Sequence, residues 1–155
     1  MRDIEFKAKR IDNGEWFFGN LIIYGDILRP YDIKNYYIEN YYGEEKHEVI
    51  PETICQYTGL KDKNGNEIYE GDEISLHQFL FDGEEYENEL IGIIVYDGKS
   101  ASYGITNIKH LINKHMGYKD NVEAKENIIP ICHFYGLHEE SFEIIGNIHD
   151  KELLK

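Results

Sequence analysis

Two sharp turns close together in the middle of this chain constrain its fold more than any other feature. They lie in the run Gln56-Tyr57-Thr58-Gly59-Leu60-Lys61-Asp62-Lys63-Asn64-Gly65-Asn66-Glu67-Ile68-Tyr69-Glu70-Gly71-Asp72. Asn64-Gly65 is a strong hairpin signal, because a type I′ turn needs positive φ at both central positions and Asn and Gly adopt it most cheaply. Tyr57 and Leu60 precede the turn, and Ile68 and Tyr69 follow it. Gly71-Asp72 then marks a second bend. Beyond it Ile74 and Leu76 alternate with Glu73, Ser75 and His77, the period of a half-buried strand. Two bends this near each other predict a compact β corner. Its residues Tyr57, Asp62, Lys63 and Tyr69 are candidates for an interaction loop, since recognition residues often sit on loops held by a rigid scaffold. The plainer reading is that the motif serves only folding.

The same reading extends along the chain. Ile4, Phe6 and Ala8 alternate with charged residues, and after Asn13-Gly14 the apolar run resumes at Trp16, Phe18 and Leu21 to Tyr24, which predicts an N-terminal hairpin. From residue 25 to residue 55 the tyrosines 31, 36, 37, 41 and 42 mix with Gly, Asn and Glu. Short strands and loops are expected there, with the tyrosines either a contact surface or an aromatic sheet face. Val49-Ile50-Pro51 ends a strand. After Phe79-Leu80-Phe81, the acidic run Asp82 to Glu89 reads as a solvated loop. Leu90 to Tyr96 reads as a central strand buried on both faces. The one helix predicted runs over Asn107–Met116, where Ile108, Leu111 and Ile112 fall at i, i+3 and i+4, Thr106 or Asn107 stands at the N-cap and Gly117 at the C-terminus. Lys109 and Lys114 make it locally cationic and complete the candidate interaction residues. Asn121 to Asn127 reads as a polar connection, Ile128 to Ile131 and Phe142 to Ile148 as strands, and Lys151 to Leu154 as a last helical turn.

The run Gln56 to Asp72, the stretch Ile144-Ile145-Gly146-Asn147-Ile148 and the opening Phe-Lys-Ala-Lys-Arg followed by Gly-Glu-Trp-Phe-Phe-Gly-Asn together resemble the YopX family of bacteriophage and prophage proteins. The resemblance covers the N-terminal hairpin, the central signature and the C-terminal strand. It implies a fold similar to SH3-like barrels and a phage or prophage origin, and it brings no established activity with it. The expected fold is mainly β: a small SH3-like barrel or rolled antiparallel sheet with one short amphipathic helix, residues 1–155 forming a single domain of this kind.

Composition narrows the function further. Thirty acidic residues against sixteen basic give a formal charge of -14, which repels a phosphate backbone and anionic membranes at long range. Nucleic acid is therefore a disfavoured partner and no membrane is expected. No apolar run approaches membrane-spanning length, and the N-terminus has no apolar signal core, so a soluble cytoplasmic protein of a bacterial host is expected. Cys55 and Cys132 are too few for a disulfide framework and read as buried thiols.

No nucleophile elbow, P-loop, dinucleotide fingerprint or paired-His helix motif is present, so no catalytic residue and no cofactor are predicted. Asp62, Asn64, Asn66 and Glu73 match part of a calcium-loop template, but Glu67 stands where the template needs glycine and strands flank the segment. Cys132, His133 and His138 suggest zinc, yet adjacent strand residues point to opposite faces, so no metal is expected. The resulting expectation is a non-catalytic accessory protein that binds a protein partner or itself. Self-association would bring the cationic helix of one subunit to the acidic run of another, with Phe79, Phe81 and Tyr86 supplying apolar area. The alternative is a nucleic-acid-associated regulatory module with a local basic face.

Overall fold

In the computed structural model residues 1, 3–25, 34–81, 83–113, 128–133 and 141–150 are described. They form strands β1 (Phe6–Lys9), β2 (Trp16–Gly25), β3 (Lys34–Glu39), β4 (Lys46–Glu48), β5 (Cys55–Lys61), β6 (Glu67–Tyr69), β7 (Asp72–Phe81), β8 (Glu85–Asp97), β9 (Ser102–Asn113), β10 (Ile129–Pro130) and β11 (Phe142–Asn147). Short 3-10 turns occupy Pro51–Thr53 and Ile131–His133. The strands make two antiparallel sheets, ordered β4-β3-β2-β1-β5-β6 and β10-β9-β8-β7-β11. The chain divides into two compact units, Met1–Gly59 and Leu60–Lys155, and β5 carries it from the first into the second.

In the first unit the N-terminal hairpin forms where alternation and Asn13-Gly14 predict it. Phe6 to Lys9 pair with Gly19 to Trp16, closed by Gly14 N–H to Arg10 O and Arg10 N–H to Glu15 O, each 2.9 Å. On its other side β1 pairs with β5. Ala8, Ile38 and Val49 are the buried core, with Phe6, Phe17, Tyr36 and Ile54 packed on it. Between β3 and β4 the Asn40 side-chain oxygen accepts the N–H groups of Glu44 and Glu45 at 2.9 and 3.1 Å. That bracing holds a loop on which Tyr41 and Tyr42 stand 88% and 81% exposed. Tyr31 lies outside the described residues.

In the second unit the apolar run Leu90 to Tyr96 lies in β8, the middle strand of its sheet. Burial nevertheless alternates along it: Leu90, Gly92 and Ile94 are buried, whereas Ile91, Ile93 and Val95 are only half-buried. The core joins Leu90 and Ile94 to Ile68, Ile74, Leu76, Ile105, Ile108, Ile131 and Phe142. Each such side chain contributes about 1.5–3 kcal/mol of transfer free energy when fully buried.

Three further sequence-based expectations are corrected. First, neither sheet closes into a barrel among the described residues. Second, Asn107 to Asn113, the described part of the predicted helix, is the second half of strand β9, while Lys114 to Met116 lie outside the described residues. The reason is a pair of bulges. Ile91 faces Lys109 and Ile93 faces Thr106, so β9 carries one residue more than β8 there, and a second extra residue falls between the pairs Glu89–Ile112 and Leu90–His110. Asn107 sits in the first bulge with φ 51°. The bulge carries the inward face from Ile105 to Ile108, a spacing of three that imitates a helical period.

Third, Glu85 to Glu89 are not a loop. They pair with Phe81 to His77 in a long β7–β8 hairpin whose turn includes Gly83 at φ 79°. The polar connection at Asn121–Asn127 and the turn at Lys151–Leu154 lie outside the described residues. No helix among the described residues is long and apolar enough to cross a membrane.

Candidate functional site

The Asn64-Gly65 turn forms, in a different geometry from the one predicted. Asp62 N–H donates to Asn66 O at 2.8 Å and Gly65 N–H to Asp62 O at 3.0 Å. Gly65 has φ 80°, while Ala101 and Asn107 are the described non-glycine residues with positive φ. Asn64 therefore keeps a negative φ, and Lys63-Asn64-Gly65 is a three-residue loop with glycine at its bulge. The Asp62 side chain selects this form by accepting Asn64 N–H at 2.9 Å, an Asx turn.

Asp62 is 3% exposed, and its carboxylate gathers donors from well beyond its own loop. Oδ1 accepts the N–H groups of Asn64 and Asn66, each at 2.9 Å, and Oδ2 accepts Ile144 N–H at 3.2 Å. Burial pushes this carboxyl up, but the N–H donors of Asn66, Ile144 and Asn64 together hold it below the usual carboxylate range. Lys63 N–H donates to Phe142 O at 2.9 Å, and Lys63 Nζ pairs with Glu143 Oε2 at 2.7 Å on the surface. The signature loop thus caps the outer edge of β11, taking backbone groups that would otherwise offer a template for another strand.

The second bend completes the same lock. Gly71, at φ 80°, donates its N–H to Ile94 O at 2.8 Å and accepts Ile148 N–H at 3.0 Å. The buried Asp72 accepts Tyr69 N–H at 2.8 Å through Oδ2 and the Asn147 amide at 2.9 Å through Oδ1. Asn147 in turn accepts His149 N–H at 2.9 Å. The signature run from Asp62 and the C-terminal Phe142–Ile148 segment are consequently two sides of one assembly.

Of the candidate interaction residues, Tyr57, Asp62 and Tyr69 are buried. Tyr57 N–H donates to Glu5 O at 2.8 Å, and Tyr69 Oη to Glu67 Oε2 at 2.9 Å. Lys63 and Lys109 are exposed, Lys109 on β9 opposite Ile91, and Lys114 lies outside the described residues. Cys55 is a buried free thiol, as expected. Cys132 is free but exposed, because the turn Ile131–His133 commits Ile131 to the core. His138 lies outside the described residues. Among the described residues, no group of three or more His, Cys, Asp or Glu is placed to hold a metal ion.

The accessible surface with the chemistry of a contact site is the β7–β8 arm, which carries the acidic run and the phenylalanines that the sequence offers for self-association. Phe79 and Phe81 stand 75% and 74% exposed on β7, on the same face as His77. Opposite these three on β8 are Glu87, Glu85 and Glu89, so rings and carboxylates share one face of the arm. The His77 and Phe79 rings are 4.7 Å apart, and His77 Nε2 lies 3.9 Å from Glu87 Oε2. The signal was present in the residues: Phe79/Phe81 and Glu85/Glu87/Glu89 each repeat every second position around Asp82-Gly83, a hairpin dipeptide.

No curated protein matches this chain. A family model described as YopX protein matches residues 5–155, which takes in the β1–β2 hairpin, the signature loop and the β11 strand that the loop caps. The chain belongs to the YopX family.

Proposed function

We propose that this protein is a non-catalytic accessory protein of phage or prophage origin that acts in the bacterial cytoplasm by binding another protein. The observation that carries this reading is the β7–β8 arm, where Phe79 and Phe81 are largely exposed and flanked by acidic residues. Exposed aromatic side chains on a braced hairpin supply contact area at low entropic cost. The loop bearing Tyr41 and Tyr42 has the same character. The signature residues Asp62 and Asp72 lie elsewhere in the economy of the fold, accepting backbone and amide N–H groups.

A second reading, association with nucleic acid, draws on one feature. Lys7 Nζ lies 4.6 Å from the Trp16 ring centroid, a cation at an aromatic face, and the second cation there, Lys9 at the same distance, is buried. The chain's charge of -14 opposes it. Affinity capture of the tagged full chain from induced or infected host cells, with and without nuclease, tests both. A protein retained reproducibly after nuclease treatment supports the first reading. Loss of all co-purifying material with nuclease supports the second.

A further inference from the structure

Successive residues of a strand direct their backbone groups alternately to the two sides of the strand. On β11, Phe142 O and Ile144 N–H face the signature loop, so Glu143 faces β7 and its partner Ser75 faces β11. Counting by twos from Ser75 along β7, the N–H and C=O groups of His77, Phe79 and Phe81 point to the side that β11 occupies. The Gly71 N–H to Ile94 O bond agrees, since it places the even-numbered groups of β8 toward β7. But β11 starts at Phe142, opposite Leu76. Among the described residues, no strand lies beside His77, Phe79 and Phe81 on that side. The signature loop caps the neighbouring edge of β11, and among the described residues β7 continues past the capped region as an edge that carries Phe79 and Phe81.

We propose that the outer edge of β7 over His77–Phe81 takes an extended cationic segment of a partner protein as an added strand. This deepens the protein-binding reading above and rests on it. Three features specify the occupant. The open ladder groups call for an extended backbone, which they would pair in the manner of β-augmentation. Phe79 and Phe81 call for aliphatic stems, which lysine and arginine supply along their length. Glu85, Glu87 and Glu89 lie one strand further on, on the same face, where a long side chain crossing the phenyl rings would place its charge. A second copy of the chain fits less well, because each copy carries -14 and would bring its own row of carboxylates.

The test uses the full-length protein and a short peptide alternating lysine and valine, followed by fluorescence anisotropy and by amide NMR shifts. Binding is expected to perturb the His77, Phe79 and Phe81 amides. It should weaken about tenfold on raising salt or on combining Glu85→Gln with Glu87→Gln, and it should fail with a peptide N-methylated at alternate residues. Equal affinity for the N-methylated peptide would overturn the proposal, leaving only attraction between opposite charges. A dimer of the free protein that tightens with salt and resists the peptide would also overturn it, by giving the edge to a second copy. If Phe79→Ser with Phe81→Ser abolishes peptide binding but a captured host protein persists, binding resides elsewhere: the edge proposal fails while the general reading stands.

Discussion

Replacing Asp62 by alanine removes the acceptor of three backbone N–H groups, those of Asn64, Asn66 and Ile144, in a site almost closed to water. Hydrogen bonds to a charged acceptor and the cost of orphaned donors together put the expected loss on the order of 3 kcal/mol, read as a lower urea midpoint with unchanged slope. Asp62→Asn also destabilises, since an amide turns one of the two oxygens into a donor facing an N–H. The pH dependence has a definite sign. The folded-state pKa lies below the unfolded carboxyl value of about 3.9. The contribution is therefore complete above that value and is lost as pH falls through the folded-state pKa. The gap between wild type and Asp62→Asn should narrow over that acid window; a gap independent of pH would contradict the role given to the charge. Gly65→Val should cost on the order of 1–2 kcal/mol, because Gly65 holds φ 80° in open space, so strain alone is at stake. The turn was legible in the residues around Asn64-Gly65. Asp62's wider role was not, since its donor on Ile144 is 82 residues away in sequence.

At the scale of elements, β9 shows why a spacing of three or four apolar residues does not by itself select a helix. Ile105 and Ile108 both face the core because Asn107 occupies a bulge, and Gly92 is the residue on β8 that leaves room for them. A Cβ on Gly92 would stand 2.2 Å from Ile105 Cγ2 and 3.2 Å from Thr106 O. Gly92→Ala is thus expected to destabilise by about 1–3 kcal/mol through overpacking. Asn107→Val should cost about 1–2 kcal/mol through its left-handed φ, while Asn107→Gly is neutral or slightly stabilising. Urea titration of the three variants checks this; if Gly92→Ala matches wild type, Ile105 has freedom that its complete burial denies. The central strand was readable from its β-branched run, whereas the bulge was not, because its cause is register against another strand. The acidic segment failed for a related reason. Composition alone made Glu85, Glu87 and Glu89 a solvated loop, but every second side chain of a strand shares one face, so these three carboxylates stand together on that face while the backbone stays in the ladder.

At the scale of the whole molecule, the charge pattern pairs a basic segment with an acidic one, and the fold sets their described parts side by side as neighbouring strands of a single chain: Glu89 faces Ile112 and Asn88 faces Asn113. The described part of the predicted cationic helix is therefore a strand beside the acidic strand of its own chain. Among the described residues there are two cores with no residue in common, one built on Ile38 and Val49 and the other on Leu76, Leu90 and Ile94. The two units that hold them are linked through β5. Stability in such a chain is expected to divide along the same line, because the opening of a cooperative element is governed by the burial within it. Ile38→Ala deletes fully buried volume in the first unit at an expected cost of about 2–5 kcal/mol. Native-state hydrogen exchange should then quicken for the amides of β2 and β3, while those of Leu90 and Ile94 in β8 keep their protection. Ile94→Ala should give the reverse pattern. A uniform loss of protection along the chain from either substitution would show a single cooperative unit and would sink this division of stability.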